Sequence, residues 1–312
     1  MLELRRIERA LLGVFADRSY REVGTPTLEY AGLLELGDRR SADAAYRFFD
    51  DQGELLALRT DMTIPIARLA ADRLGELDPP HRLCYFANAY RAVTPKRGRR
   101  REFGQAGIEL IGESGPEATG EVIEVLSRAL AAVGLTDAVI GLGNAGLWPG
   151  LLTDLGAAKD TRDRASERLV NHDLVGVEAI LREAGELEPA QVGALLEVIG
   201  MRGDEQVLER AATLGGDRFG AALGRLAATN AELLRRELGH RVQLDLGMLR
   251  DLGYYSGTTI EVYDPTVGEI IGGGGRYDGL MGKFGLDLPA AGFTLYVERI
   301  HEAQINQGLT GA

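Results

Sequence analysis

The run Gly272-Gly273-Gly274-Gly275-Arg276-Tyr277-Asp278-Gly279 is the most unusual chemical feature of this chain. It lacks the Lys-Ser/Thr ending of a phosphate-binding loop and the spacing of a dinucleotide fingerprint. A glycine cluster taken alone reads as a flexible turn. This one follows a strand-like run and leads into Arg276, Tyr277 and Asp278, residue types suited to lining a polar pocket, and glycine lets a ligand approach the backbone. A second feature is the basic loop Thr94-Pro95-Lys96-Arg97-Gly98-Arg99-Arg100-Arg101. It admits three readings: contact with an anionic ligand, contact with a partner, or a solvated face. Cys84 is the only cysteine, so an intramolecular disulfide and a thiolate metal cluster are both excluded. Its apolar neighbours Leu83, Tyr85 and Phe86 suit a buried structural thiol better than a nucleophile. His81, His172, His240 and His301 are scattered without metal-ligand spacing, so no metal site is expected.

Residues 4–17 place Ile7, Leu11, Val14 and Phe15 on one helical face. A short extended run, Tyr20 to Pro26, follows. Tyr46-Arg47-Phe48-Phe49 and Leu55 to Arg59 then read as a hairpin turned by Asp50-Asp51-Gln52-Gly53. The pattern predicts a helix over 63–74, strands over 82–91 and 103–112, and a helix over 117–133. Strand character returns at 242–246 and 258–263, and a final helix is expected near 290–304. Between these parts lies an Ala-, Leu-, Glu- and Arg-rich stretch with broken helical periods and little strand signal. The expected architecture is an α+β core of residues 1–145 and 240–312, interrupted by a helical insertion over 146–239.

Two of these segments resemble a known family. Gly273 to Leu280 (Gly-Gly-Gly-Arg-Tyr-Asp-Gly-Leu) and Leu252-Gly253-Tyr254-Tyr255 look like the two histidine-specific motifs of histidyl-tRNA synthetases. Tyr90-Arg91-Ala92-Val93, joined by the basic loop to Arg101 through Glu109, is similar to class II motif 2. Ala291 to Arg299 resembles motif 3, and Tyr20 to Pro26 with its preceding helix resembles motif 1, which forms the dimer interface in that family. The resemblance covers nearly the whole chain in order. It implies a class II synthetase-like antiparallel sheet flanked by helices, with a helical insertion. It also implies a histidine pocket: Asp61 holds the ammonium, Gln105 makes a second ammonium or carboxylate contact, and Glu109 partners the imidazole. Tyr254 and Tyr255 supply the walls and polar rim, and Arg250 falls on the synthetases' catalytic arginine. These types fit a free amino acid, which needs an acid for its ammonium, a cation or dipole for its carboxylate, and polar groups for its ring. Arg91, Arg101 and Arg299 correspond to a remnant anion or phosphate site.

The departures point away from aminoacylation. Motif 2 of the synthetases carries an acid two residues after its arginine, accepting a hydrogen bond from adenine; here Val93 stands there and cannot accept one. Motif 3 has a small glycine where the nucleotide lies against the sheet; here Tyr296 is large enough to obstruct it. The stretch after Arg299 is also too short for the anticodon-binding domain, and the usual leader before the first helix is missing. Leu58-Arg59-Thr60-Asp61-Met62-Thr63 resembles the version carried by regulatory subunits of short-form ATP phosphoribosyltransferase. That implies a protein with no catalytic residue or cofactor of its own, bound with a homodimer core in a hetero-oligomer, a hetero-octamer in this family. Its partners would be the short-form catalytic subunit and free histidine. The rival expectation is a truncated synthetase-like enzyme that forms histidyl-adenylate without charging tRNA.

Composition narrows the field further. With 312 residues and 45% hydrophobic content the chain can bury a substantial core. It has 35 basic and 47 acidic side chains, a net charge of −12. Affinity for a long polyanion comes mostly from Lys and Arg, so this balance argues against a general nucleic-acid binder and against tRNA. The N-terminal residues lack the apolar core of a signal peptide, and no stretch is long and apolar enough to cross a bilayer, so a cytoplasmic protein is expected.

Overall fold

The computed structural model describes residues 2–93, 100–250 and 253–309. Residues 94–99 of the basic loop, and Asp251 and Leu252 beside the paired tyrosines, lie outside the described residues. The chain forms two compact units: Met1–Ala138 with Leu252–Tyr254 and Val262–Ala312, and Val139–Asp251 with Tyr255–Glu261.

The first unit opens with α1 (Leu2–Asp17), which buries Ile7, Leu11 and Phe15. Next come β1 (Arg21–Glu22), β2 (Leu28–Tyr30), and two short helices, α2 (Ala31–Gly37) and α3 (Arg39–Asp43). The hairpin of β3 (Arg47–Phe49) and β4 (Leu55–Leu58) pairs Arg47 with Ala57. Its turn is held by the Asp50 carboxylate, which accepts from Gln52 N and Glu54 N, and by Gly53 at φ +84°. With β2 these strands make a three-stranded sheet in the order β2-β4-β3. Helix α4 (Thr63–Leu74) matches its expected span, and β5 (His81–Tyr90), β6 (Glu102–Ile111) and α5 (Gly115–Ala132) lie within two residues of theirs.

The second unit begins with β7 (Val139–Asn144). Six helices follow in sequence: α6 (Leu147–Asp154), α7 (Lys159–Val170), α8 (Leu174–Ala184), α9 (Pro189–Gly200), α10 (Gln206–Ala211) and α11 (Asp217–Arg235). A two-residue strand, β8 (Arg202–Gly203), interrupts them and pairs with β9 (Val242–Asp245), which runs parallel to β7. Strand β10 (Thr258–Tyr263) leads back to the first unit.

There the chain closes with β11 (Gly272–Arg276), β12 (Ala290–Tyr296) and α12 (Val297–Asn306). Two expectations are corrected here. The glycine run does not simply follow a strand: four of its glycines are themselves a buried strand, paired antiparallel with β12. The expected final helix over 290–304 is a strand up to Tyr296 and a helix only from Val297. Small residues explain both. A Cβ at Gly274 would sit 2.2 Å from Gly292 O, so these strands approach more closely than side chains on both would permit.

In the first unit the strands run β1-β5-β6-β12-β11, antiparallel except for the β1–β5 pair. Because strand residues alternate between faces, the register sorts this sheet. One face carries Cys84, Ile108 and Phe293, and Phe293 meets Phe15 of α1 edge-to-face at 5.9 Å. The other face carries Tyr85, Phe103, Gln105, Gly107, Glu109, Gly292, Thr294 and Tyr296, and the chemistry of the unit collects there.

Candidate functional site

Strand β6 presents Gln105 and Glu109 on one face because they are four residues apart. Glu109 is 1% exposed. Its carboxylate accepts a hydrogen bond from Thr63 Oγ1 at 2.9 Å and another from the Tyr277 hydroxyl. Burial pushes its pKa up to about 8; the nearby Asp61 charge adds to the rise, and the two hydroxyl donors oppose it. A carboxyl in this place needs the opposite strand to give way: a Cβ at Gly292 would lie 1.9 Å from Glu109 Oε2. Further along β6, Gln105 is buried and its Oε1 has no hydrogen-bond partner among the described residues. An unpaired buried acceptor costs free energy, on the order of 1–3 kcal/mol, unless a donor reaches it. Between these two residues, a Cβ at Gly107 would meet Tyr85 Oη at 2.5 Å, and that hydroxyl bonds Thr294 Oγ1.

Asp61 lies just before α4 and is buried. Its Oδ1 accepts from Ile64 N at 3.1 Å, capping the helix, and its Oδ2 accepts from Ser41 Oγ at 3.0 Å. Ser41 Oγ also bonds Thr60 Oγ1. Asp38 belongs to the same group: it caps α3 through Ser41 N at 3.1 Å and accepts from Gly253 N at 3.3 Å. Burial raises the Asp38 pKa against those backbone bonds, with the Asp61 charge contributing. The next residue, Tyr254, is buried and meets the Tyr277 ring edge-to-face at 5.8 Å. Asp61, Gln105, Glu109 and Tyr254 therefore all belong to the first unit, where Glu109 bonds Thr63 and Tyr277 and Tyr254 packs on Tyr277. Arg250 and Tyr255 belong to the second. There Arg250 lies over the Tyr255 ring at 5.7 Å, donates to Ile260 O at 3.1 Å and pairs with Glu261 at 3.4 Å.

Within the glycine-rich motif only Tyr277 turns to the site. Arg276, expected to line the pocket, is a buried clamp instead: it donates to Glu113 O at 3.1 Å and pairs with Asp278 at 2.6 Å. Asp278 in turn accepts from Ala290 N at 3.2 Å. Both charges are consumed in tying β11 to the start of α5 and to β12, because a buried guanidinium is tolerated only when its donors are satisfied.

The three remnant arginines separate in role. Arg101 is exposed, and its carbonyl accepts from Arg91 N at 2.9 Å. Arg91 lies over the Phe103 ring at 5.1 Å, Phe103 meets Tyr296 edge-to-face at 5.9 Å, and Arg299 lies over Tyr296 at 4.8 Å. The result is a stack of arginine, phenylalanine, tyrosine and arginine, with Tyr296 filling the interval between Phe103 and Arg299. Arg299 is also bonded to Ile270 O and the Glu269 carboxylate, and Glu298 accepts from Gly104 N at 3.0 Å. Val93 is half-buried and donates its N–H to Arg91 O.

Sequence reading missed Ser41, Asp38 and Gly292. Serine and aspartate at helix starts and glycine in a strand carry ordinary local meanings, and only the fold brings them to the site. Thr63 had a usable signal, two residues after Asp61 at the head of an expected helix.

The histidyl-tRNA synthetase family profile matches residues 1–300. A relative from Desulforamulus reducens named ATP phosphoribosyltransferase regulatory subunit is 41% identical over 289 residues, covering 90% of this chain and 70% of that one. A Moorella thermoacetica protein of the same name is 40% identical over 299 residues, covering 95% and 77%. The crystal structure of an ATP phosphoribosyltransferase regulatory subunit/histidyl-tRNA synthetase from Bacillus halodurans superposes with a TM-score of 0.89 at 31% identity, covering 96% of this chain and 79% of that one. A class II synthetase-like core and relatives of this name lead to one conclusion: the chain belongs to the ATP phosphoribosyltransferase regulatory subunit family, whose members are built on the histidyl-tRNA synthetase fold.

Proposed function

We propose that this chain is a non-catalytic subunit that binds free histidine, activates a short-form ATP phosphoribosyltransferase catalytic subunit and helps mediate feedback inhibition by histidine. The observation that carries the reading is the buried Glu109 carboxyl held by Thr63 and Tyr277, with Asp61 nearby and the Gln105 acceptor unpartnered. A bound histidine supplies the donor that Gln105 lacks and adds to those that Asp61 and Glu109 already accept: its ammonium for Asp61 and Gln105, and a ring N–H for Glu109. Tyr254 and Tyr277 form an aromatic wall suited to the imidazole. In this reading Arg250 and Tyr255 complete the pocket, and residues 146–239 are a helical insertion into the class II core.

Activation and inhibition then follow from linkage. Histidine shifts the catalytic subunit only so far as it binds the two states of the complex with different affinity, and the catalytic subunit's own ligands shift histidine binding by the same factor. The stack of Arg91, Phe103, Tyr296 and Arg299 supports a pocket for the amino acid without a nucleotide beside it. Retention of those arginines favours the rival, a histidyl-adenylate-forming enzyme.

The test is a histidine titration by calorimetry, repeated on Glu109→Gln and Asp61→Asn, together with turnover of the short-form catalytic subunit with and without this chain. Expected are saturable histidine binding weakened by both substitutions, stimulated turnover, and no histidine-dependent exchange of pyrophosphate into ATP. Binding unaffected by either substitution would overturn the pocket; exchange activity would establish the rival.

A further inference from the structure

The contacts of the amino-acid site close on themselves. Asp61 accepts from Ser41 Oγ at 3.0 Å, and Ser41 donates its N–H to Asp38 at 3.1 Å. Asp38 accepts from Gly253 N at 3.3 Å. The adjoining Tyr254 packs edge-to-face on Tyr277 at 5.8 Å, and the Tyr277 hydroxyl donates to Glu109. Glu109 accepts from Thr63 Oγ1 at 2.9 Å, and Thr63 stands two residues after Asp61. The circuit runs through α3, the Gly253–Tyr254 segment, the residue after β11, β6 and the head of α4, all within the first unit. Its side chains are buried throughout.

Asp38 is the link that local structure explains least. Helix α3 has five residues, and a neutral serine or asparagine would cap so short a helix without burying a carboxylate. Burial raises the Asp38 pKa, so the charge is held there at a cost. What a carboxylate adds over a hydroxyl is a second oxygen. Oδ2 caps α3, while Oδ1 holds Gly253 N so closely that a Cβ at Gly253 would lie 3.1 Å from it. Ser41 is equally committed. Its one hydroxyl proton goes to Asp61, so Thr60 is the donor in the bond between Ser41 and Thr60. Asp61 is thereby oriented at both oxygens, by Ser41 Oγ and by Ile64 N at 3.1 Å.

We propose that Asp38 and Ser41 are positioning residues that hold the Asp61 carboxylate and the Tyr254 wall at a fixed span, and that this span selects a ligand carrying both an ammonium group and an imidazole ring. It rests on the proposed function above, which puts the ammonium at Asp61 and the ring at Glu109 and Tyr254. Neither positioning residue touches the ligand. They act by keeping the two ends of the pocket from shifting independently, and a misplacement beyond about 0.5 Å is enough to weaken a site of this kind.

The experiment measures the affinities of the full chain for L-histidine, histamine and imidazole, with a thermal melt, in the unsubstituted protein and in Asp38→Ser and Ser41→Ala. Asp38→Ser keeps one oxygen to cap α3 and removes the one on Gly253 N. Ser41→Ala removes the hydroxyl from Asp61. Both are expected to lower the affinities for histidine and histamine by roughly tenfold or more, while that for imidazole, which engages one end only, stays unchanged. In a chain carrying Tyr254→Ala, Asp38→Ser should cause a smaller further loss than it does alone, because part of its effect passes through that wall. If Asp38→Ser fails to fold, Asp38→Asn, also a helix-capping residue with one acceptor oxygen, carries the same comparison. Histidine and imidazole affinities falling by the same factor would reduce Asp38 and Ser41 to general supports of the fold and overturn the proposal. So would unchanged histidine affinity in both variants, or a full further loss beside Tyr254→Ala. Failure of the unsubstituted chain to bind histidine would remove the proposed function itself, whereas retained binding with unaltered selectivity in the variants would overturn the positioning role alone.

Discussion

Glu109 concentrates the physical chemistry of the pocket in one side chain. Its pKa is raised from an ordinary 4.5 to about 8, chiefly because burial disfavours the charged form. Between those two values the folded chain holds a proton that the unfolded chain has released, so the folded state binds more protons and stability falls as pH rises through the window. Glu109→Gln removes that titration. Urea denaturation at several pH values between 5 and 8 should show a shallower loss of stability in the variant than in the unsubstituted chain; parallel curves would contradict the assignment. Gly292 makes the same carboxyl possible by leaving its space open. The pair illustrates how a functional residue depends on an absent side chain across the strand.

At the scale of elements, α2 packs closely on α4 at Gly37. Gly37→Ala would place a methyl 2.8–2.9 Å from three carbons of Ile64, a fully buried side chain at the head of α4. Overpacking of this kind typically costs about 1–3 kcal/mol, and here it presses on the turn that Asp61 caps. The expected outcome is a lowered melting temperature together with weakened histidine binding. Gly37→Ala with Ile64→Ala should be less damaging than the sum of the two single changes, because the second creates room for the first. Additive effects in that double-mutant cycle would show that the contact is slack. The stack from Arg91 to Arg299 makes a similar point about elements. Phe103 of β6 and Tyr296 of β12 meet because Tyr296 pairs in register with Gln105, two residues from Phe103 on the same face.

For the whole molecule, the net charge of −12 bears on which partners are accessible. Binding that depends on neutralising many phosphates needs clustered Lys and Arg, and weakens steeply with salt. Expected, therefore, is no retention of tRNA in a filter-binding assay even at low salt, roughly 50 mM or below. Salt-sensitive retention there would mean that the basic loop outweighs the overall charge. No helix among the described residues is long and apolar enough to cross a membrane.

What the sequence determined by itself was local pattern and order. Helix α4, the β3–β4 hairpin and the long strands β5 and β6 were legible because apolar periodicity and turn residues act over a few positions. The order of the motifs was equally legible, and with it the family. Tertiary structure alone decided which polar groups meet. Arg276 and Asp278 stand in a motif with Tyr277, yet the strand turns them into a clamp and sends only Tyr277 to Glu109. The glycines of β11 gave no strand signal of their own because small residues are ambiguous locally. They form a strand because a neighbouring backbone lies too close for side chains. Asp38 with Ser41, Thr63 and Gly292 come to the pocket from three separate places in the chain. Hydrogen bonds and excluded volume across such distances depend on how the sheet pairs and the helices pack, which no short stretch of sequence encodes.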